Sequence, residues 1–141
     1  MASYLANNFL EQILKAEIDF DTDVFKIILM ASGYSFNRVS DTDYSDVSAS
    51  ELTTLYGYTA GGNTLANVVV AQDDTGNLGT VVWDNASWSI SGGDITASAA
   101  IIYDDTHASK LIVGYIDFGG DQTCLNGGVA SVANIKVQLA G

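Results

Sequence analysis

The stretch DITASAAIIYDDTHASKLIVGYIDF, residues 94–118, contains two apolar runs separated by a short polar segment. Both runs are rich in β-branched and aromatic residues, which favour strands. The segment between them, residues 104–110, has the polar composition of an exposed turn. The sequence therefore predicts a β-hairpin with strands at 94–103 and 110–118, and it places the single histidine, His107, at the polar tip of that hairpin.

Similar apolar runs flank this hairpin on both sides. They are bounded by segments rich in glycine and aspartate, such as 73–77, 92–93, 119–121 and 126–128. The further predicted strands are 24–31, 64–72, 78–85, 86–90 and 129–139. Short strands at regular spacing with glycine-rich turns predict a mainly β fold, specifically a jelly-roll-like β-sandwich or barrel.

The N-terminal segment has a different pattern, since its apolar residues recur at helical spacing. They are Leu5, Phe9, Leu10, Ile13 and Leu14. We expect one helix of about three turns within residues 3–16, with Ser3 as its N-cap. The chain is then a single domain over 1–141, with a helical segment at 1–18 and the β-sandwich at 24–141.

Residues 33–63 form a long polar and aromatic excursion within the β-sandwich region. A short helix is expected around SASELTTL, residues 48–55, with Ser48 or Ser50 as its cap. Long loops are usually functional when they are ordered, and aromatic residues are enriched at interface centres. The candidate partner interface therefore combines both segments: Leu5, Phe9, Tyr34, Phe36, Tyr44, Tyr56 and Tyr58.

Composition excludes several classes of function. Seventeen acidic residues face five basic ones, giving a net charge of −12, so the clustered Lys and Arg that neutralise nucleic-acid phosphates are missing. No run of 18 apolar residues predicts a membrane span, and the first residues lack the features of a signal peptide. The sequence predicts a protein made in the cytoplasm that binds neither nucleic acid nor membrane.

No motif for catalysis, a cofactor or a metal is present. His107 and Cys124 lack partner motifs, and Gly61-Gly62 is typical of a tight turn rather than a phosphate loop. Asp19, Asp21 and Asp23 match the start of a calcium loop, but Val24 and Met30 occupy the positions that require Gly and Glu. We therefore expect a non-enzymatic protein without a cofactor or metal site.

Whether a structural calcium ion binds at the acidic segment that contains Asp41, Asp43 and Asp46 is left open. The sequence leaves this question undecided because those acids do not follow the ligand spacing of a known calcium loop.

Three segments carry a family resemblance: IDFDTDVFKIILMASGYSFNRVSDTDYSDV at 18–47, GYTAGGNTLANVVV at 57–70 and AAIIYDDTHASKLIVGYIDFGGDQTCLNGG at 99–128. They resemble a family of small structural proteins of tailed bacteriophages. The resemblance spans roughly residues 5–130, and its motifs are structural rather than catalytic. The tail at 129–141, which is more apolar than expected, and the charged hairpin tip around His107 depart from it.

The resemblance implies a capsid decoration (cement) protein on the virion surface, made in the cytoplasm of the host bacterium. Its implied partners are the major capsid protein and further copies of itself, as a homodimer or homotrimer. The alternatives are a tail, adaptor or fibre-base component, or a surface glycan-binding module that uses Trp83, Trp88 and the tyrosines. A glycan hydrolase would need paired carboxylates in a cleft, which the sequence does not predict.

Overall fold

The computed structural model describes residues 3–141 and is mainly β, with 44% of residues in strands and 11% in helices. The mainly β class and the helix near the N-terminus are thus confirmed. In chain order the elements are β1 (Tyr4–Leu5), α1 (Asn7–Leu14), β2 (Phe25–Met30), α2 (Tyr44–Val47), a 3₁₀ turn (Ser48–Ser50), β3 (Asn63–Thr64), β4 (Val69–Asp73), β5 (Leu78–Val82), β6 (Ala86–Ser89), β7 (Ile95–Asp104), β8 (Ile112–Cys124), β9 (Val129–Val132) and β10 (Lys136–Ala140).

The predicted hairpin forms the centre of the largest sheet. Strands β7 and β8 pair with each other in a five-stranded sheet of order β1-β8-β7-β2-β3, in which every pair is antiparallel. A second sheet has the order β10-β5-β4, and β6 pairs with β9 in a third. The described part of the chain therefore forms three antiparallel sheets, and the expected jelly-roll topology is not confirmed.

Strand β8 is longer than predicted because it continues through the expected break at 119–121. Gly119 and Gly120 adopt φ of 79° and 143°, which glycine permits inside an irregular strand. The β7–β8 register shifts between Ala97 and Ala99, next to this point. A β-bulge of this kind bends the hairpin without ending it, so the prediction of a break was wrong.

Two of the predicted strands are each divided in the structure. The run 64–72 contains the end of β3 and most of β4, and the run 129–139 contains β9 and most of β10. Asn67 and Asn134, between the halves, have φ of 55° and 56°. Asparagine adopts this left-handed conformation more readily than most residues, and the conformation turns the chain out of one sheet into another.

Helix α1 has eight residues, about two turns, instead of the expected three. Its N-cap is Ala6, and the predicted cap, Ser3, instead accepts a hydrogen bond through its hydroxyl from the Asp117 N–H at 3.3 Å. Phe9 is fully buried, whereas Leu14 is 88% exposed, so only part of the apolar stripe covers the core.

The short helix of the excursion, α2, begins four residues before the predicted 48–55 segment, so that prediction was misplaced. Asp43 is its N-cap and accepts the N–H of Ser45, while the Asp46 side chain accepts the N–H of Asp43 in a capping box. The prediction required a serine cap, but the reciprocal aspartate pair satisfies more of the free N–H groups at the helix start.

Gly62 lies where the excursion returns to the sheet, in close contact with β2, and we expect this position to require glycine. Its φ is +76°, and a Cβ there would lie 1.9 Å from the Ile27 carbonyl oxygen in β2. We predict that Gly62→Ala lowers the free energy of unfolding by about 3 kcal/mol or more, since left-handed strain and a backbone clash add. Urea unfolding followed by circular dichroism measures this loss.

The matched control is Gly33→Ala. Gly33 has a φ of +83°, but a Cβ added to it would meet no atom of the described residues within 4 Å. This change should cost only the backbone strain, about 1–2 kcal/mol. Equal losses in the two variants would contradict the close approach of Gly62 to β2.

Candidate functional site

The N-terminal segment and the excursion meet beside the first residues of β8. The Asn7 N–H donates to the Arg38 carbonyl at 2.8 Å, and the Arg38 Nε donates to Asn7 Oδ1 at 3.2 Å. The Arg38 guanidinium also lies over the ring of Tyr4, 5.0 Å from its centroid. The two segments that the sequence singled out therefore form one continuous surface.

Tyr115 lies at the centre of this surface. It pairs directly with Tyr4 across the β1–β8 ladder, which places both side chains on the same face. Phe36 stacks on the Tyr115 ring at 5.0 Å and 11°, and Tyr34 meets it edge-on at 6.1 Å and 60°. We call Tyr4, Tyr34, Phe36, Arg38 and Tyr115 the aromatic surface.

Hydrogen bonds hold the excursion side of the aromatic surface in place. The Tyr34 hydroxyl donates to Asp41 Oδ2 at 2.9 Å, and the same oxygen accepts the Asn37 N–H at 2.8 Å. Burial, followed by the bond to Asp41, raises the pKa of Tyr34 well above its usual value, so the phenol stays protonated. A fixed aromatic ring loses little conformational entropy when a partner covers it.

Arg38 gives the aromatic surface its charge. It is the only arginine of the chain, and within residues 3–141 it belongs to none of the ion pairs. Apart from the Nε–H that it gives to Asn7, a guanidinium free of carboxylates keeps its remaining donors for a partner and can also stack on aromatic rings. Arg, Tyr and Trp are the residue types that most often dominate binding at interfaces.

Elsewhere in the excursion, the buried carboxylate of Glu51 holds the excursion to the sheet. It accepts hydrogen bonds from the hydroxyls of Tyr44 and Tyr58, both at 2.6 Å, and from the Gly61 N–H at 2.7 Å. The Tyr58 hydroxyl accepts the Leu29 N–H at 3.0 Å, which links the cluster to β2. Burial raises the pKa of Tyr44 to about 12 and that of Tyr58 further, so both remain donors at neutral pH.

The seven residues of the predicted interface have different roles in the structure. Phe9 and Tyr58 are core residues, at 0% and 1% exposure, and Tyr44 stacks on Tyr103 at 5.0 Å. Leu5 is half-buried and packs against the core. These four support the fold within the protomer.

Of the remaining three, Tyr34 and Phe36 join the aromatic surface. Tyr56 is 38% exposed and its ring lies against Gly92 and Gly93, in a different part of the protein.

Three members of the aromatic surface, Tyr4, Arg38 and Tyr115, were missed by sequence reasoning. Tyr115 lies in an apolar strand and was assigned to the hairpin without a further role. Tyr4 precedes the helical stripe and does not share its spacing. The unique arginine within an acidic chain was the one signal that pointed to this surface.

The other candidate residues lie far from each other or accept hydrogen bonds within turns. Cys124 pairs with Ile95 at one end of the β7–β8 hairpin, and His107 follows Asp104 at the other end, so they are roughly 30 Å apart and cannot form a dyad. The His107 ring contacts Glu17 at 3.8 Å. Asp19 and Asp23 accept backbone N–H groups of their own turn. Across residues 3–141, no group of three or more ligating side chains is placed to hold a metal ion.

Asp104, expected at an exposed hairpin tip, is instead fully buried at the end of β7. Its Oδ1 accepts the N–H groups of Thr106 and His107 at 2.9 and 3.2 Å, while Oδ2 has no donor within the described part of the chain. Burial, and then the facing carboxylate of Asp23, raise the pKa of Asp104 to about 6. The hairpin tip is polar, but its first acid belongs to the interior.

A cleft of about 560 Å³ lies between β9 and the far halves of β7 and β8. Trp88 contributes to its wall, but Trp83 and Trp88 are only 5% and 4% exposed. Their rings are therefore not displayed for stacking on a sugar, and both tryptophans act as core residues.

Comparison with known proteins adds no relative: no family model, no curated protein and no solved structure matches this chain. None of the helices within residues 3–141 is long and apolar enough to cross a membrane. The fold and the site thus define a mainly β, antiparallel protein with an aromatic surface built from two distant segments of the chain.

Because the Glu51 carboxylate accepts three buried hydrogen bonds, we expect its removal to lower the free energy of unfolding strongly. Glu51→Ala leaves two hydroxyls and one N–H without their acceptor, so we predict a loss of about 3 kcal/mol or more in the free energy of unfolding. Glu11→Ala is the control, because Glu11 forms only an exposed ion pair with Lys15 and should cost under about 0.5 kcal/mol. Similar losses in chemical denaturation would contradict the role of Glu51.

The raised pKa of Asp104 predicts an unusual dependence on pH. A carboxyl group whose folded pKa of about 6 exceeds its ordinary 3.8 stabilises the fold when protonated, and this contribution is lost as pH rises through 6. Asp104→Asn should therefore raise the melting temperature at about pH 7.5, with the gain shrinking towards about pH 4.5.

The neighbouring Asp105 provides a control of opposite sign. Hydrogen bonding to Lys110, together with the charge of Lys26, lowers the pKa of Asp105, so its contribution is present at neutral pH and lost as pH falls. Asp105→Asn should lower the melting temperature slightly at about pH 7.5, with the difference vanishing in acid. Parallel pH profiles for the two variants would contradict the assignment.

Proposed function

We propose that this chain is a non-enzymatic structural protein of a tailed-bacteriophage virion, a decoration protein that binds the outer face of the head shell. The aromatic surface makes the contact with the major capsid protein. The observation that carries the proposal is the meeting of the two expected interface segments in one preorganised aromatic patch, in which Tyr4 and the only arginine are exposed and Tyr34, Phe36 and Tyr115 are half-buried. The resemblance to small phage structural proteins supplies the partner.

The charge distribution supports such a role. A net charge of −12 makes free copies repel one another, so they associate only where shape-matched contacts outweigh the repulsion. The aromatic surface gathers four rings and the guanidinium of Arg38, and the carboxylates of Asp41 and Asp117 approach it at its margin. Binding to the shell through this patch leaves the acidic remainder of the surface to keep the protein soluble.

Weak individual contacts are sufficient for decoration. A shell offers many identical sites, and an oligomer that grips several shell subunits gains avidity without new chemistry. Binding to the assembled shell, but not to its separated subunits, stabilises the assembled state by mass action. No catalytic group is needed for this function.

The test is co-sedimentation with head shells that lack decoration protein, prepared from the phage that encodes this chain. Tyr4→Ala combined with Arg38→Ala should weaken shell binding by about tenfold or more, because both side chains are of types that dominate interfaces. Tyr4 is 44% exposed and Arg38 is also exposed, so the fold should be retained. Circular dichroism checks this.

The matched control is Leu125→Ala combined with Val129→Ala. These side chains are 66% and 63% exposed, and they lie beyond the far end of β8, roughly 20 Å from Tyr115 along the hairpin. The control should bind shells like the parent. If the parent fails to bind shells, or if both double variants bind equally well, the proposed function is rejected.

A further inference from the structure

Strand β4 is an unprotected sheet edge. Within residues 3–141, the order β10-β5-β4 leaves one side of β4 without a neighbouring strand. Its residues 69–72 are all exposed, with Val69 at 58% and Val70 at 48%. Because an edge strand presents unpaired N–H and C=O groups, it is a template for another strand.

The edges of the two larger sheets, other than β4, carry protection that β4 lacks, and the unprotected strands of the small β6–β9 pair have only four residues each, partly buried. The five-stranded sheet ends in β1 and β3, which have only two residues each. On the opposite edge from β4, β10 begins with Lys136. Short edges and edge lysines are the usual means of preventing strand addition. Strand β4 has five residues, no basic side chain and no proline, and its first four residues are uncharged.

We propose that β4 pairs antiparallel with β4 of a second copy of this chain, which joins two three-stranded sheets into one of six strands. Pairing about a two-fold axis at Ala71 places Ala71 opposite Ala71, Val70 opposite Gln72, and Val69 opposite Asp73 of the other copy. This register uses all five residues of the strand, and its symmetry closes the assembly as a dimer.

The charge of the chain favours a second copy of the chain as the partner that pairs with β4. Two copies with a net charge of −12 each repel least where they meet without carboxylates, and residues 69–72 carry none, the nearest along the chain being Asp73 and Asp74, which accepts from Gln72 Nε2 at 2.8 Å. In the proposed register the two Asp73 side chains lie at opposite ends of the pairing, about 13 Å apart, beyond the screening length at physiological salt. The exposed face adds Val82, which pairs with Val69 in the β4–β5 ladder and is 38% exposed.

This inference does not depend on the proposed function, since the pairing needs no head shell. It assigns the contact between copies to β4, which leaves the aromatic surface for a different partner. The two assignments can fail separately: shell binding tests one, and self-association in the absence of shells tests the other.

The decisive experiment is disulfide trapping in a Cys124→Ser background. Ala71→Cys would place two thiols opposite each other across the two-fold axis, where paired Cα atoms lie about 4.5–5.5 Å apart, within the range of a disulfide. Mild oxidation should convert Ala71→Cys to a covalent dimer at least about tenfold faster than the control Thr75→Cys, in the adjacent exposed turn. Equal rates would overturn the proposal.

Sedimentation equilibrium of the unmodified chain provides the second measurement. Ala71→Glu sets two like charges directly opposite and should raise the dimer dissociation constant by about tenfold or more, whereas Thr75→Glu adds the same charge without this effect. Circular dichroism of both variants verifies the fold. A parent chain that sediments as a monomer throughout, or a dimer that Ala71→Glu does not weaken, would also overturn the proposal.

Discussion

The pairing of β7 with β8 is the constraint on which the other parts of the structure depend. On one side of this hairpin all six residues of β2 pair with residues 99–104 of β7, and on the other side β1 pairs with β8 at Tyr115. Since the hairpin is central, its register decides which residues face the core and which reach the surface. The aromatic surface exists because this register places Tyr115 beside Tyr4 and within reach of Phe36.

The abundant carboxylates are used mainly to build local structure. Asp43 and Asp46 cap a helix, Asp41 anchors Tyr34, and Glu51 gathers two tyrosine hydroxyls and an N–H. Such bonds replace the proline that the chain lacks as a means of shaping loops. Asp104 is the exception. Burial, and then the facing carboxylate of Asp23, raise its pKa, so its charged form destabilises the fold at neutral pH.

Local sequence patterns predicted which strands and helices form, but they predicted neither where these elements begin and end nor which residues make the aromatic surface. The 94–118 hairpin and the mainly β class follow from periodicity, which short-range sequence patterns record directly. The division of 64–72 and 129–139 at Asn67 and Asn134 was missed because one asparagine, although depleted in strands, is too weak a local signal to break an otherwise apolar run. Only Tyr34 and Phe36 of the predicted interface reached the aromatic surface, because burial depends on contacts between distant residues.

The sequence by itself determined the class of fold, the acidic character and the two segments that meet at the aromatic surface, since each is a property of composition or local spacing. The tertiary structure decided which aromatic residues are buried and which are exposed. It also joined Arg38 to Tyr4 and left β4 as an open edge. The physical reason is that exposure and strand partnership are set by packing between segments far apart in the chain, and no local pattern encodes them.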